Sequence, residues 1–193
     1  MRSASILLVL FSVSFGAVAQ QQPAVPAPNV IVTVEDHAIL HENTVKLVEL
    51  MGARRKIEEN LDKMVQNGKE TMLQKFPDLN PAFVEEWSKR FRVQFNADNY
   101  VDLMVAVYEG HFTNDEILEL IQIQRNTNEG KTHTVSPHLK EKLAGAMPSM
   151  MSEIIGGFTQ LGSKLGAEIG QEIGTEHPEW VKDVKLGNEP AKK

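Results

Sequence analysis

Along most of the chain the apolar positions recur every three to four residues, the spacing of a helix with one buried face. From Asp36, the positions Ile39, Leu40, Val45, Leu47, Val48 and Met51 form such a stripe, with Gly52 near its end. A second stripe, Ile57, Leu61, Met64, Val65, Met72 and Phe76, predicts a helix over about 54–75, with Gly68 inside it. Asn80-Pro81 is a helix start. Asparagine caps free amides, and proline at the first helical position gives up no bonded N–H. Phe83, Val84, Trp87, Phe91 and Phe95 then share a face.

Past a break near 96–99, Tyr100, Leu103, Met104, Val107 and Tyr108 continue the pattern. Thr113 and Glu116 are three apart and predict a capping box ahead of Ile117, Leu120, Ile121 and Ile123. The polar run from Asn126 to Pro137 reads as a loop. A last long helix is predicted from His138 to about Gly174, interrupted and kinked at Pro148, which has no N–H to donate and crowds the preceding turn. No segment alternates with period two between hairpin turns, so no sheet is predicted. The expected fold is all-α: a single helical bundle of five or six helices with a long kinked C-terminal helix.

The N-terminus departs from this pattern. Arg2 precedes an apolar run from Ile6 to Phe15, and Ala17-Val18-Ala19 follows as a small-x-small site. This order is that of a secretory signal peptide over 1–19, cleaved after Ala19. The run is shorter than the roughly 20 residues a membrane span needs. No integral membrane span is therefore expected after signal cleavage. Residues 20–35 carry Gln20-Gln21-Gln22, Pro23, Pro26 and Pro28 and read as a flexible leader. The helical domain is expected over 36–176, with a loose C-terminal tail over 177–193. The expected location is periplasmic or secreted.

Composition narrows the chemistry. The 193 residues include no cysteine, which excludes disulfides, thiolate metal sites and a cysteine nucleophile. An exported domain of this kind relies on packing alone. The net charge of −6 opposes a phosphate backbone, so no nucleic-acid partner is expected.

One internal repeat stands out. Residues 161–176 divide into four tetrads, each aliphatic, glycine, small or polar, then charged. On a helix, i and i+4 are neighbours, so Gly162, Gly166, Gly170 and Gly174 line one stripe. A glycine inside an exposed helix costs about 1 kcal/mol relative to alanine. Close approach of another backbone is the natural compensation, as on small-xxx-small faces. These four glycines are accordingly read as a helix-contact face. Its partner is another helix of the same chain or a second copy; a frayed helix and a membrane surface are the remaining readings. Lys164, Glu168 and Glu172 argue against a membrane span.

Candidate catalytic and metal sites are sparse. His37 and His41 are four apart, a spacing that suits two zinc ligands, with Glu42 beside them. The residues between are Ala38, Ile39 and Leu40, so the pattern is not H-E-x-x-H, and no third ligand is placed. His133 and His138 flank a loop. Glu85-Glu86, Asp115-Glu116 and Glu119 could be read as acid and base pairs, but catalytic carboxylates need perturbed surroundings that a sequence does not show, and they are read here as a solvated acidic face. No nucleophile elbow or phosphate-binding loop is present. No catalytic residue, metal ligand or cofactor is assigned.

From Tyr100 to Lys131 an aromatic-containing helix (Tyr108) precedes Phe112-Thr113, Asp115-Glu116-Ile117, an aliphatic run to Ile123, and Gly130-Lys131. Met147-Pro148 and Met150-Met151 follow. This order resembles the bacterial secreted domain-of-unknown-function family 2059, over roughly 98–155. It departs at Ile123-Gln124 and Asn126-Thr127-Asn128-Glu129, where the family carries an aromatic pair and Ser-Pro. The resemblance implies a signal peptide and an all-helical domain, and brings no catalytic residues. The expected function is a non-enzymatic binding or interaction protein of the cell envelope. Its partner would be an unknown envelope protein or a second copy. The alternatives are a periplasmic hydrolase or metal-dependent enzyme using His37 and His41, and a carrier of a small apolar ligand or lipid.

Overall fold

A computed structural model describes residues 34–182. The expected signal peptide, most of the leader and the end of the tail lie outside the described residues. Seven α-helices and one 3-10 turn account for the regular structure, and no strand occurs among the described residues. The helices are α1 (Val34–Leu50), α2 (Ala53–Glu59), α3 (Leu61–Lys75), α4 (Pro81–Gln94), α5 (Ala97–His111), α6 (Asn114–Asn128) and α7 (Pro137–Glu176). The 3-10 turn is Pro178–Trp180. The fold is all-α, as the periodicity predicts.

Side-chain chemistry sets most boundaries. Gly52 takes φ +66°, a left-handed conformation that ends α1, and its N–H donates to the Glu49 carbonyl at 2.8 Å. The Asn80 side chain accepts from the Ala82 N–H at 2.9 Å, and Asn96 does the same for Asp98 at 2.9 Å. Thr113 and Glu116 form the full capping box.

Two boundaries differ from the expected ones. The helix anticipated over 54–75 is two helices, broken at Asn60. The Asn60 amide donates to the Lys56 carbonyl at 2.7 Å, competing with the backbone ladder there. The loop expected from Asn126 begins later, because 126–128 complete α6. There Gln122 donates to Asn126, Gln124 to Asn128, and Thr127 to the Ile123 carbonyl. The Asn128 amide also caps α1 by donating to the Leu50 carbonyl at 3.0 Å. The long helix α7 runs through Pro148 without ending. Pro148 is exposed, on the side where the carbonyl it leaves without a helical donor can be solvated.

The apolar stripes build two cores. The first joins α1, α2, α5, α6 and the first half of α7 around Leu47, Val48, Tyr100, Ile117, Leu139 and Met150. The second joins α3, α4 and the second half of α7 around Val65, Phe83, Trp87, Phe91, Ile169 and Ile173. An aromatic series connects them. Trp87, Phe91, Phe95, Tyr100 and Phe158 follow one another with ring centroids 4.9, 6.3, 5.1 and 4.9 Å apart. Among the described helices, α7 alone places fully buried residues in both cores, Leu139 and Met150 in the first and Ile169 and Ile173 in the second. The first residues after it also pack: His177 stacks on Trp180 at 3.8 Å, and Trp180 and Val181 cover the second core. The tail expected from residue 177 therefore begins with an ordered turn.

Candidate functional site

The long helix carries the unusual sequence, so its two faces are the candidate site. The inner face holds the predicted glycine stripe. A methyl group at Gly166 would lie 3.1 Å from the Trp87 ring, and at Gly162 it would lie 3.5 Å from the Tyr100 hydroxyl. At Gly170 and Gly174 the nearest atoms would belong to Phe83 and Val181, at 3.8 and 3.9 Å. The stripe therefore faces side chains of α4, α5 and the turn that follows α7. The close partner is an aromatic ring, where the sequence suggested another backbone. Trp87 also donates its indole N–H to the Gly166 carbonyl at 2.9 Å. Its other edge meets α3, where a methyl at Gly68 would lie 2.5 Å from the ring. Gly68 and Gly166 together form the slot that holds Trp87.

Tyr100 stands at the junction of the two cores. It is 2% exposed, and its hydroxyl has no hydrogen-bond partner among the described residues. Burial pushes the phenol up to about 12. An unbonded buried hydroxyl costs about 1–3 kcal/mol. Tyr100→Phe is accordingly expected to leave stability unchanged or to raise it by up to about 1 kcal/mol in urea melts. A loss of more than 1 kcal/mol would show that the hydroxyl is satisfied.

Ion pairs fix both ends of α7. At its start, Glu116 of α6 is 7% exposed and meets Lys142 at 2.5 Å and His138 at 2.9 Å. It also accepts from the Thr113 N–H at 2.7 Å. Burial alone would raise this carboxyl. The bonds from Lys142, Thr113 and His138 outweigh burial and hold it at about 2. One turn on, Glu119 accepts from the Ser136 N–H and hydroxyl at 2.7 and 2.8 Å, and Ser136 caps α7. At the far end, Arg90 of α4 binds both carboxylate oxygens of Glu176, at 3.0 and 2.5 Å, and Glu86 at 2.8 Å. Those bonds raise the Arg90 guanidinium and lower both carboxylates.

The other chemical candidates do not converge. His41 pairs with Glu109 of α5 at 2.7 Å, while His37 and Glu42 are exposed. His138 serves Glu116, and His133 is exposed on the loop before α7. Glu85 pairs with Lys69 at 3.0 Å. Among the described residues, no three potential metal-ligating side chains gather.

The outer face of α7 is the feature that sequence reasoning passed over. From Leu143 to Ser163 the only charge is Glu153, which turns to His111 of α5 at 2.9 Å. Gly145, Pro148, Ser152 and Gly156 are exposed. Met147, Met151 and Ile155 are half-buried and stand outside both cores. A methyl at Gly145 or Gly156 would meet nothing within 4 Å. Each therefore carries its helical cost without a packing reason among the described residues. Gly145→Ala and Gly156→Ala should each stabilise the protein by up to about 1 kcal/mol in urea melts at low concentration. Gly157→Ala should not, because its methyl would strike Leu103. The uncharged run was visible in the sequence, but nothing there showed which of its sides faces out.

Among the described residues, no helix is long and apolar enough to cross a membrane. No family model matches the chain, and neither a curated protein nor a solved structure is matched by it.

Proposed function

We propose that the chain is an exported, non-enzymatic binding protein of the bacterial cell envelope, with the outer face of α7 as its contact surface. The observation that carries the reading is the uncharged face from Leu143 to Ser163 on a chain that is 24% charged. Exposed helix faces ordinarily carry charge, and depletion of charge marks the core of an interface. The ion pairs at both ends support the same reading, because they hold the helix against the bundle while its outer side stays open. Export rests on the signal-like pattern of 1–19 and on the resemblance to the secreted family.

A photo-cross-linking residue at Ser152, introduced in bacteria that make the protein, tests the surface. It should give discrete adducts in the envelope fraction, whereas the same residue at exposed Lys89 of α4 should give none. Equal labelling from both positions, or none from Ser152, would remove the reading. Mass spectrometry of the exported chain should place its first residue at Gln20.

A further inference from the structure

We propose that Met147 and Met151, with the backbone carbonyl of Ala144, form a site for a soft monovalent cation, copper(I), along one edge of α7. Met150 is 3% exposed and belongs to the first core, whereas Met147 and Met151 are half-buried and outside both cores. Four residues apart, they share one side of the helix, with Cβ atoms about 5–6 Å from each other. Both side chains lean towards the helix N-terminus, over the turn that holds Ala144 and Pro148. Each is unbranched and rotates freely enough to bring its sulfur to a common point.

Pro148 supplies the third ligand. It has no N–H, so the Ala144 carbonyl four residues back loses its helical donor. Ala144 is exposed and lies on the same side of the helix as the two methionines. An acceptor freed by the proline thus opens beside two sulfurs that the packing does not use.

The donor set selects the ion. The chain has no cysteine, so thioethers are its only sulfur ligands. Thioethers are soft and favour copper(I), and a backbone oxygen serves copper as a weak additional ligand. All three donors are neutral. Glu153, the only charge between Leu143 and Ser163, points about 160° away from Met151 around the helix and turns to His111. The nearest charge along the methionine side of α7 is Lys140, about two turns before Met147. A divalent ion would find no anion on this side to balance it, whereas a soft single charge needs none. The site does not depend on what binds the outer face.

Methyl NMR of the purified protein labelled at the methionine methyl groups reads the site directly, with silver(I) as a redox-stable stand-in for copper(I). Silver(I) should move the Met147 and Met151 signals together, saturating at one ion per chain, while those of buried Met104 and Met150 hold their places. Met147→Leu and Met151→Leu conserve volume and should melt like the wild type. Each should weaken binding at least about tenfold, the least that losing even a ligand's supporting partner costs. Copper(I), added anaerobically with a reductant, should displace the silver, and zinc should move neither methyl. Pro148→Ala restores the missing N–H and should weaken binding about threefold. Absence of a methyl shift overturns the proposal, as does a shift of one methyl without the other or binding indifferent to both leucine variants. Silver that copper(I) does not displace, or methyls that zinc moves equally, overturn the choice of ion. Binding unchanged by Pro148→Ala removes the carbonyl from the site.

Discussion

Trp87→Ala is expected to cost about 3–5 kcal/mol, the largest single loss in the molecule. The ring is 5% exposed and contributes to three helices at once. It leaves α4, lies against Gly68 of α3, and donates to the Gly166 carbonyl of α7. Removing it empties the slot and takes away the hydrogen bond that registers α7 on α4. Such a loss is comparable with much of the stability of a domain this size, so the variant is read out as an unfolding shift or as loss of soluble protein.

Trp87→Phe combined with Gly68→Ala gives the sharper measurement. In the wild type, a methyl at Gly68 sits 2.5 Å from a buried, rigid ring, so Gly68→Ala should destabilise by about 1–3 kcal/mol despite its better helix propensity. Once Trp87→Phe has shortened the ring, the same alanine should be neutral or stabilising. A double-mutant cycle in urea should therefore return a coupling of about 1–3 kcal/mol between the two positions. Additive effects would mean that the slot does not exist. Trp180, the second tryptophan, keeps a fluorescence signal in every variant.

The slot shows where sequence reading stops. The stripe of Gly162, Gly166, Gly170 and Gly174 was legible because a tetrad repeat on a helix aligns its members whatever they touch. The caps at Asn80 and at Thr113 with Glu116 were legible for a similar reason, since donor and acceptor sit within three residues. The partner of the stripe was not legible. Trp87 and Gly166 are 79 residues apart, and nothing local joins them. Gly68 read as a weak point in a helix because its reason for being glycine lies on α4. The break at Asn60 was hidden by an apolar spacing that continues from Ile57 to Leu61 and Met64. Those residues divide between two cores that one stripe does not distinguish. The end of α6 was misjudged because Asn126, Thr127 and Asn128 favour turns in isolation. Here each bonds one turn back and extends the helix.

Glu116 is where the same limit meets electrostatics, and its removal should give the second large effect. The capping box explains two of its bonds, but Lys142 and His138 come from α7, 26 and 22 residues away. Glu116→Gln keeps the shape and removes the charge. It should cost about 2–3 kcal/mol at pH 7, less than a fully buried pair would, because Lys142 and His138 remain partly in water.

The pH dependence identifies the cause. The carboxyl is held at about 2 in the folded protein, against an ordinary value of 4.5. A lowered carboxyl stabilises the fold above the unfolded value and loses that contribution as pH falls through the folded one. The wild type should therefore shed about 3 kcal/mol from this group between roughly pH 5 and pH 2. Glu116→Gln should lack that part of the acid limb, so the two urea-melt curves should converge as the pH falls. Parallel curves across this range would show that Glu116 is not held as an anion by Lys142, Thr113 and His138. The gap would then come from shape alone, and α7 would not be fixed at its start by charge.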